Sequence, residues 1–442
     1  MVVQVSRPAY FYVTRANAYV ICLRVLTGAP PLGLVGGDIV LQLLTRGQSP
    51  SSIRIVDFSA PSRPDLLDGP AAKVDYVKTD ISNPSSVEAA FAKLWPSDVA
   101  KLPLTVFHTA AIIRPGERFM LFWDRSRRVN LDGTENVLAA AKAAGADILV
   151  ATSSASVSIR PVGFLVPPWP WRAQLQPRGW LQVCDERDFD RPVRAHGEFF
   201  ANYAHSKALA ERAVCGADAP GFRTGAVRPG NGIYGLPTDV ICGPTLGAGG
   251  RPVVSFSSHV IQNFVSGWNV ALAHLLFEAA LAGAQPRCAG RPFVVTDPGP
   301  PPQFADFYRA AAQLSATPVE VAAVPPLPLY LLAHVVEMWA VLLARVPLLT
   351  RLGLSEPRGP MKDLQPAIWT PSAFIMVSDA AARKSVEEGG LGYRGGCTTL
   401  EGVCEQIRNW NQSQGKEGAR GGNDEVGKTI LEADLIEKDL VA

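Results

Sequence analysis

A surplus of charge of either sign is missing from this 442-residue chain: 42 basic residues stand against 40 acidic ones, a formal net charge of +2. A dedicated nucleic-acid binder carries a basic excess, so the balance excludes that class and points to a small-molecule partner. Paired cysteines are missing too. The seven that exist (Cys22, Cys184, Cys215, Cys242, Cys288, Cys397, Cys404) form no C-x-x-C, which argues against a zinc ribbon or a disulfide framework and fits a reducing compartment. The six histidines show no ligand spacing, so no metal is expected. Residues 1–17 lack the long apolar core and cleavage site of a secretory signal and are read as an N-terminal extension with no targeting role.

What is present is a rhythm of strands and helices. An apolar run from Tyr19 to Leu26 ends in Thr27-Gly28, the pattern of a buried strand feeding a glycine turn, and Val40, Leu43 and Leu44 then recur at helical spacing. Strand patterns follow at Ile53–Asp57, Val74–Ile81, Leu104–Ala111 and Asp147–Thr152, with helices around Ser86–Trp95 and Val129–Ala144 between them. Alternation of this kind predicts an α/β fold with a parallel sheet covered on both faces, a Rossmann-type doubly wound domain. Ligands in such folds bind beyond the carboxyl ends of the strands, and polar or small residues gather there: Gly28 to Gly36, Asp57, Asp80-Ile81, Ala110-Ala111 and Ser153-Ser154.

Two fragments carry chemistry. Residues 203–215 read as a helix, and i,i+4 spacing puts Tyr203 and Lys207 on one face, where an ammonium would lower the pKa of a phenol that is a poor base when free. Tyr203 could then exchange a proton with an alcohol or ketone, and Ser154, at the end of a strand, would hydrogen-bond the same oxygen. The glycine loop is irregular. Gly33 and Gly36 keep the three-residue spacing of a dinucleotide loop, but Pro30 stands where another glycine belongs and Gly28 is displaced. Three explanations are open: a longer, rearranged loop, impaired phosphate binding, or a stretch not faithfully read from its gene. A carboxylate at Asp57 suits a ribose diol and repels a 2′-phosphate, which favours NAD over NADP.

The stretches Phe107–Ala111, Val129–Val137, Thr152–Val157, Tyr203–Glu211 and Val227–Gly235 resemble the extended short-chain dehydrogenase/reductase family and, within it, the 3β-hydroxysteroid dehydrogenase branch, most of all the sterol-4α-carboxylate 3-dehydrogenases. The resemblance covers about residues 25–411. It implies Ser154 as the hydroxyl that orients substrate, Tyr203 as acid/base, Lys207 as its activator and ribose ligand, and Asn130 as support for a proton relay, with Pro229 and Gly230 near the nicotinamide. It also implies a Rossmann domain over 18–290 and a smaller C-terminal substrate lobe over 291–411. Two stretches depart from the family: an insertion at about 160–195, and a tail over 412–442 whose low hydrophobicity favours disorder. Residues 327–349 are strongly apolar but interrupted by His334 and Glu337, which fits an interfacial insertion better than a clean span, with a buried lobe helix as the competing reading. The expectation is an NAD(P)-dependent oxidation of a 3β-type alcohol on a sterol or related terpenoid, with loss of a neighbouring carboxylate where there is one. The setting expected is the endoplasmic reticulum membrane or its cytoplasmic face, the cytoplasm being the alternative. The competitors are a dehydrogenase of a specialised terpenoid pathway and a membrane-associated scaffold that has lost its cofactor.

Overall fold

The computed structural model describes residues 17–22, 25–26, 33–163, 179–237, 239–357 and 360–419. In chain order the main elements are β1 (Ala18–Cys22), α1 (Leu34–Thr45), β2 (Ile53–Asp57), β3 (Asp75–Lys78), α2 (Pro84–Ala92), β4 (Leu104–His108), α3 (Gly133–Ala143), β5 (Ile148–Thr152) and α4 (Asn202–Gly216). They continue with β6 (Arg223–Pro229), α5 (Gly267–Leu281), β7 (Pro292–Val295), α6 (Phe304–Leu314), α7 (Pro326–Arg345) and α8 (Thr399–Ala419). The sheet order is β7-β6-β5-β4-β1-β2-β3, and every pairing in it is parallel. The chain therefore has the expected doubly wound α/β fold, with its topological switch between β1 and β4.

Burial explains why the strands read as continuous apolar runs. All five residues of β2, β4 and β5 are buried, as a sheet covered on both faces requires. On one face Ile39 and Leu43 of α1 meet Leu272, Leu276 and Phe277 of α5; on the other Val87 and Phe91 of α2 meet Val137 and Leu138 of α3. Gly225 of β6 lets α5 approach this closely, since a Cβ there would fall 2.1 Å from the Phe277 ring. Arg54, at 1% exposure, is tolerated in β2 because its guanidinium pairs with Asp75 and donates to the carbonyls of Ala90, Lys93 and Leu94, which close the end of α2.

Several expectations are corrected. Val25–Leu26, at the end of the first apolar run, pairs in parallel with Ala111–Ile112 and not with the main sheet, and residues 23–24 before it lie outside the described residues. The proposed boundary at 290 cuts the sheet: β7 is its edge strand, paired with β6. The smaller lobe also draws on residues before that boundary, since Tyr234 and Phe264 pack with Phe307 and Leu314 of α6 and Val403 and Ile407 of α8. The helix α8 extends to Ala419, past the expected start of a disordered tail at 412. Residues 1–16, 420–442 and the 164–178 part of the insertion lie outside the described residues. The insertion's described part, Leu181–Cys184, pairs in parallel with Phe374–Val377 and ties it to the lobe.

Candidate active site

The carboxyl ends of β4, β5 and β6 open into a cavity of ≈ 410 Å³ whose walls include Thr109, Ser154, Tyr203, Lys207, Pro229 and Gly230. Ser154 leaves β5 in an extended conformation (φ −162°, ψ 143°) and its Oγ accepts the Ser156 N–H at 3.2 Å, which fixes the side chain at the strand's exit. The Tyr203 phenol faces the same cavity beside the Ser154 hydroxyl and is only 9% exposed. Lys207, one turn along α4, is buried and donates from Nζ to the Thr152 carbonyl at 2.6 Å. The three side chains expected together are thus brought together. The expected effect of the lysine on the phenol is not what this arrangement gives. Burial pushes the Tyr203 phenol up to about 12, and the nearby Ser154 hydroxyl opposes the shift only in part. Burial also pulls the Lys207 ammonium down to about 8 against the field of Glu211. The ammonium is committed to the Thr152 carbonyl, so desolvation governs the phenol.

Asn130 lies in a single π-helical turn, Arg128–Asp132, and is fully buried. Its Oδ1 accepts the Ile112 N–H at 2.8 Å and its Nδ2 donates to the Ile112 carbonyl and to Ser206 Oγ, both at 3.0 Å. The wide turn lets an amide on this helix join the segment after β4 to α4, beside Lys207.

The other expected residues fall into two groups at the sheet's edge. Asp57, Asp80, Ile81 and Ala110 line a smaller cavity of ≈ 50 Å³ next to the first. The Asp57 carboxylate accepts the Ser59 N–H at 3.1 Å, and Asp80 holds its own turn through Ser82. Gly33 is the N-cap of α1 and Gly36 lies in its first turn; no side chain caps these amides. A helix start without a capping side chain leaves backbone N–H groups for an anion. Gly33 has φ −57°, so it is the missing side chain that matters there, not left-handed backbone. Gly28 and Pro30 lie outside the described residues. Gly230 donates to the Val295 carbonyl at 2.9 Å, and a Cβ there would come within 2.9 Å of the Asn263 carbonyl, so the strand exit needs glycine.

Four residues escaped the sequence reasoning. His108 ends β4 fully enclosed; Thr134 Oγ1 donates to the Asn130 carbonyl at 2.7 Å, so the imidazole Nε2, 2.9 Å from that hydroxyl, is the donor between them. Its Nδ1 has no partner among the described residues, and burial together with the Lys207 ammonium pulls the ring down to about 3, which keeps it neutral. Glu211 and Arg228 form a buried bidentate pair at 2.6 and 2.8 Å, and Ser153 Oγ donates to the same carboxylate at 2.6 Å. Ser156 lines the main cavity, is 6% exposed, and its Oγ has no partner among the described residues. The signal for His108 and Ser156 was present, since both stand inside stretches already singled out. The Glu211–Arg228 pair joins a helix to a strand and has no local signature.

The model of the 3-beta hydroxysteroid dehydrogenase/isomerase family matches residues 25–162 and 189–319. The interval it skips falls within the expected insertion. A sterol-4-alpha-carboxylate 3-dehydrogenase, decarboxylating, of Schizosaccharomyces pombe is 27% identical over 294 residues, 63% of this chain and 71% of that protein. A 2-alkyl-3-oxoalkanoate reductase of Stenotrophomonas maltophilia is 29% identical over 293 residues, 65% of this chain and 76% of that protein. Among solved structures, MoeE5 in complex with UDP-glucuronic acid and NAD superposes with a TM-score of 0.56 at 16% identity, covering 90% of this chain and 100% of that one, a likeness of fold.

Proposed function

This chain belongs to the 3-beta hydroxysteroid dehydrogenase/isomerase family, and we propose that it is an NAD-dependent oxidoreductase acting on a 3β-type secondary alcohol of a sterol or related terpenoid. The observation that carries the reading is the convergence of Ser154, Tyr203 and Lys207 on one cavity. The residues present fit a dinucleotide: the uncapped start of α1 suits a diphosphate, and Asp57 at the end of β2 suits a ribose diol. They favour NAD over NADP. Arg63, which donates to the Leu34 carbonyl at that helix start, is occupied by Asp38 at 2.8 Å and Asp65 at 2.6 Å, so it is not poised for a 2′-phosphate.

When bound, the oxidised nicotinamide supplies a hydride acceptor and a positive charge. Tyr203 in its ionised form takes the hydroxyl proton and becomes the neutral phenol, and Ser154 Oγ donates to the oxygen as it becomes a carbonyl. Lys207 holds the rim of β5 through Thr152. The names of the two relatives share one relation, a carboxylate on the carbon next to the reacting C–O. We assign this chain a β-hydroxy acid on that basis, with the unpartnered Ser156 hydroxyl as a ligand for the carboxylate. Oxidation then yields a β-keto acid, whose new ketone accepts the electron pair as CO2 leaves, so no further residue is required.

The substrate is lipophilic, and α7 supports contact with a membrane surface. Leu327, Leu331, Val335, Met338 and Leu342 form one exposed stripe along it, continued by Leu348 and Leu352. Glu337, which interrupts the apolar run in sequence, turns inward to a bidentate pair with Arg118 at 2.7 Å. The helix's length and composition would also allow a crossing. Its inner face packs Tyr330 against Trp369, beside Ile368 and Pro371 of the cavity wall, which brings the apolar stripe close to the substrate site. Purified protein given NAD and a 4α-carboxy-3β-hydroxysterol in vesicles is expected to form reduced nicotinamide and release CO2. Absence of both products, with no NAD binding by calorimetry, would sink the reading.

A further inference from the structure

A different face of α4 from the one bearing Tyr203 and Lys207 borders a second cavity, ≈ 350 Å³, whose walls carry Arg160, Arg187, Arg191, Arg194, Arg212 and Arg228 against three carboxylates, Asp185, Asp188 and Glu211. Half of these arginines are neutralised. Arg187 pairs with Asp185 at 2.6 Å, Arg160 with Glu198 at 3.1 Å, and Arg228 with Glu211 and Asp188 at 2.6 and 2.7 Å. The other three have no hydrogen-bonded acid among the described residues. Arg212 donates only to the Asp188 and Arg191 carbonyls and lies 4.1 Å from the Phe189 ring centroid. Arg194 donates to the carbonyls of Val157, Ile159 and Glu198 and lies 4.4 Å from the Phe199 ring centroid. Burial and the neighbouring Arg160 hold Arg194 below its usual range, against the weaker pull of Asp188 and Glu198.

Two of these three guanidiniums, Arg194 and Arg212, are held by backbone carbonyls and ring faces on the walls of one cavity, so their positions are set before any ligand arrives, while Arg191 is exposed at its edge. Aromatic stacking and carbonyl contacts fix where these two forks sit without pairing them to an acid. We propose that this cavity binds a small molecule carrying at least two phosphate groups. One anionic centre would leave charge unmatched and the volume part empty, whereas two phosphates supply enough negative charge and acceptor oxygens to match three forks. Arg228 closes the floor, and through Glu211 and Ser153 the site adjoins the strand end that carries Ser154.

The test is calorimetric titration of the full chain with inorganic pyrophosphate at low salt, in saturating NAD so that the start of α1 is filled. The expected result is one site per chain, with affinity lowered about tenfold or more in the Arg191→Ala/Arg212→Ala double variant while NAD affinity and melting temperature hold. Inorganic phosphate is expected to bind about tenfold more weakly than pyrophosphate. No pyrophosphate binding, binding that ignores the double variant, or equal affinities for phosphate and pyrophosphate would each overturn the proposal. Should NAD fail to bind, the same titration without it still discriminates, because neither substituted arginine lines the cavities at the sheet's edge.

Discussion

Two faces of α4 meet two cavities of similar size and opposite character. One is walled largely by apolar side chains and holds Tyr203 and Lys207; the other is crowded with guanidiniums. On the first face burial works on single ionisable groups, raising the phenol and lowering the ammonium, so that the phenol is held protonated while the ammonium comes nearer to losing its proton. On the second, charges persist because carboxylates, carbonyls and ring faces surround them. Desolvation outweighs the single opposing contact at each of these two groups, Ser154 at the phenol and Glu211 at the ammonium. Glu211 is where the two regimes touch, since it neutralises Arg228 and also bears on Lys207.

Breaking the shared pair should have the largest effect. Arg228→Met leaves the Glu211 carboxylate buried with only Ser153 as its hydrogen-bonding partner, and should cost about 3–5 kcal/mol in urea unfolding. A loss below about 1 kcal/mol would mean that the two faces are not coupled through this pair.

Lys207→Met should act in the opposite direction on stability while removing activity. The folded-state value of about 8 lies below the 10.5 of a free lysine, so below pH 8 the fold bears the whole cost of burying the ammonium. As pH rises from 8 to 10.5 the wild type releases the proton and recovers that cost. The variant should therefore be more stable near pH 7 by on the order of 1–3 kcal/mol, an advantage that shrinks toward pH 10. An advantage independent of pH would refute the burial argument.

The smallest effect belongs to the arginine face. Arg212→Ala removes a stacked cation and two hydrogen bonds to carbonyls, for about 1 kcal/mol or less in the same unfolding experiment. A larger loss would mark Arg212 as part of the core and weaken the case that this face is built for a ligand.

The fold was legible because a parallel sheet imposes continuous apolar runs and regular alternation, and β2, β4 and β5 supply both. Tyr203 and Lys207 were legible because helical spacing is local, and Ser154, Asp57 and Asp80 because ligand groups sit at strand ends. Interactions between distant segments were not legible. The Glu211–Arg228 pair, the tautomer of His108 set by Thr134, and an arginine cavity assembled from residues between 157 and 228 depend on how elements pack. The inward turn of Glu337 is of the same kind: in sequence it only interrupts an apolar run, and its partner Arg118 lies far up the chain. The phenol's upward shift was missed because i,i+4 spacing places Lys207 on the right face but does not say that its ammonium reaches for the Thr152 carbonyl.

Single-turnover formation of reduced nicotinamide by Tyr203→Phe, compared with wild type at saturating NAD and 3β-hydroxysterol, tests the proton-transfer site most directly. A loss of about 10²-fold or more with NAD affinity unchanged is the predicted result. Full turnover by the phenylalanine variant would contradict it.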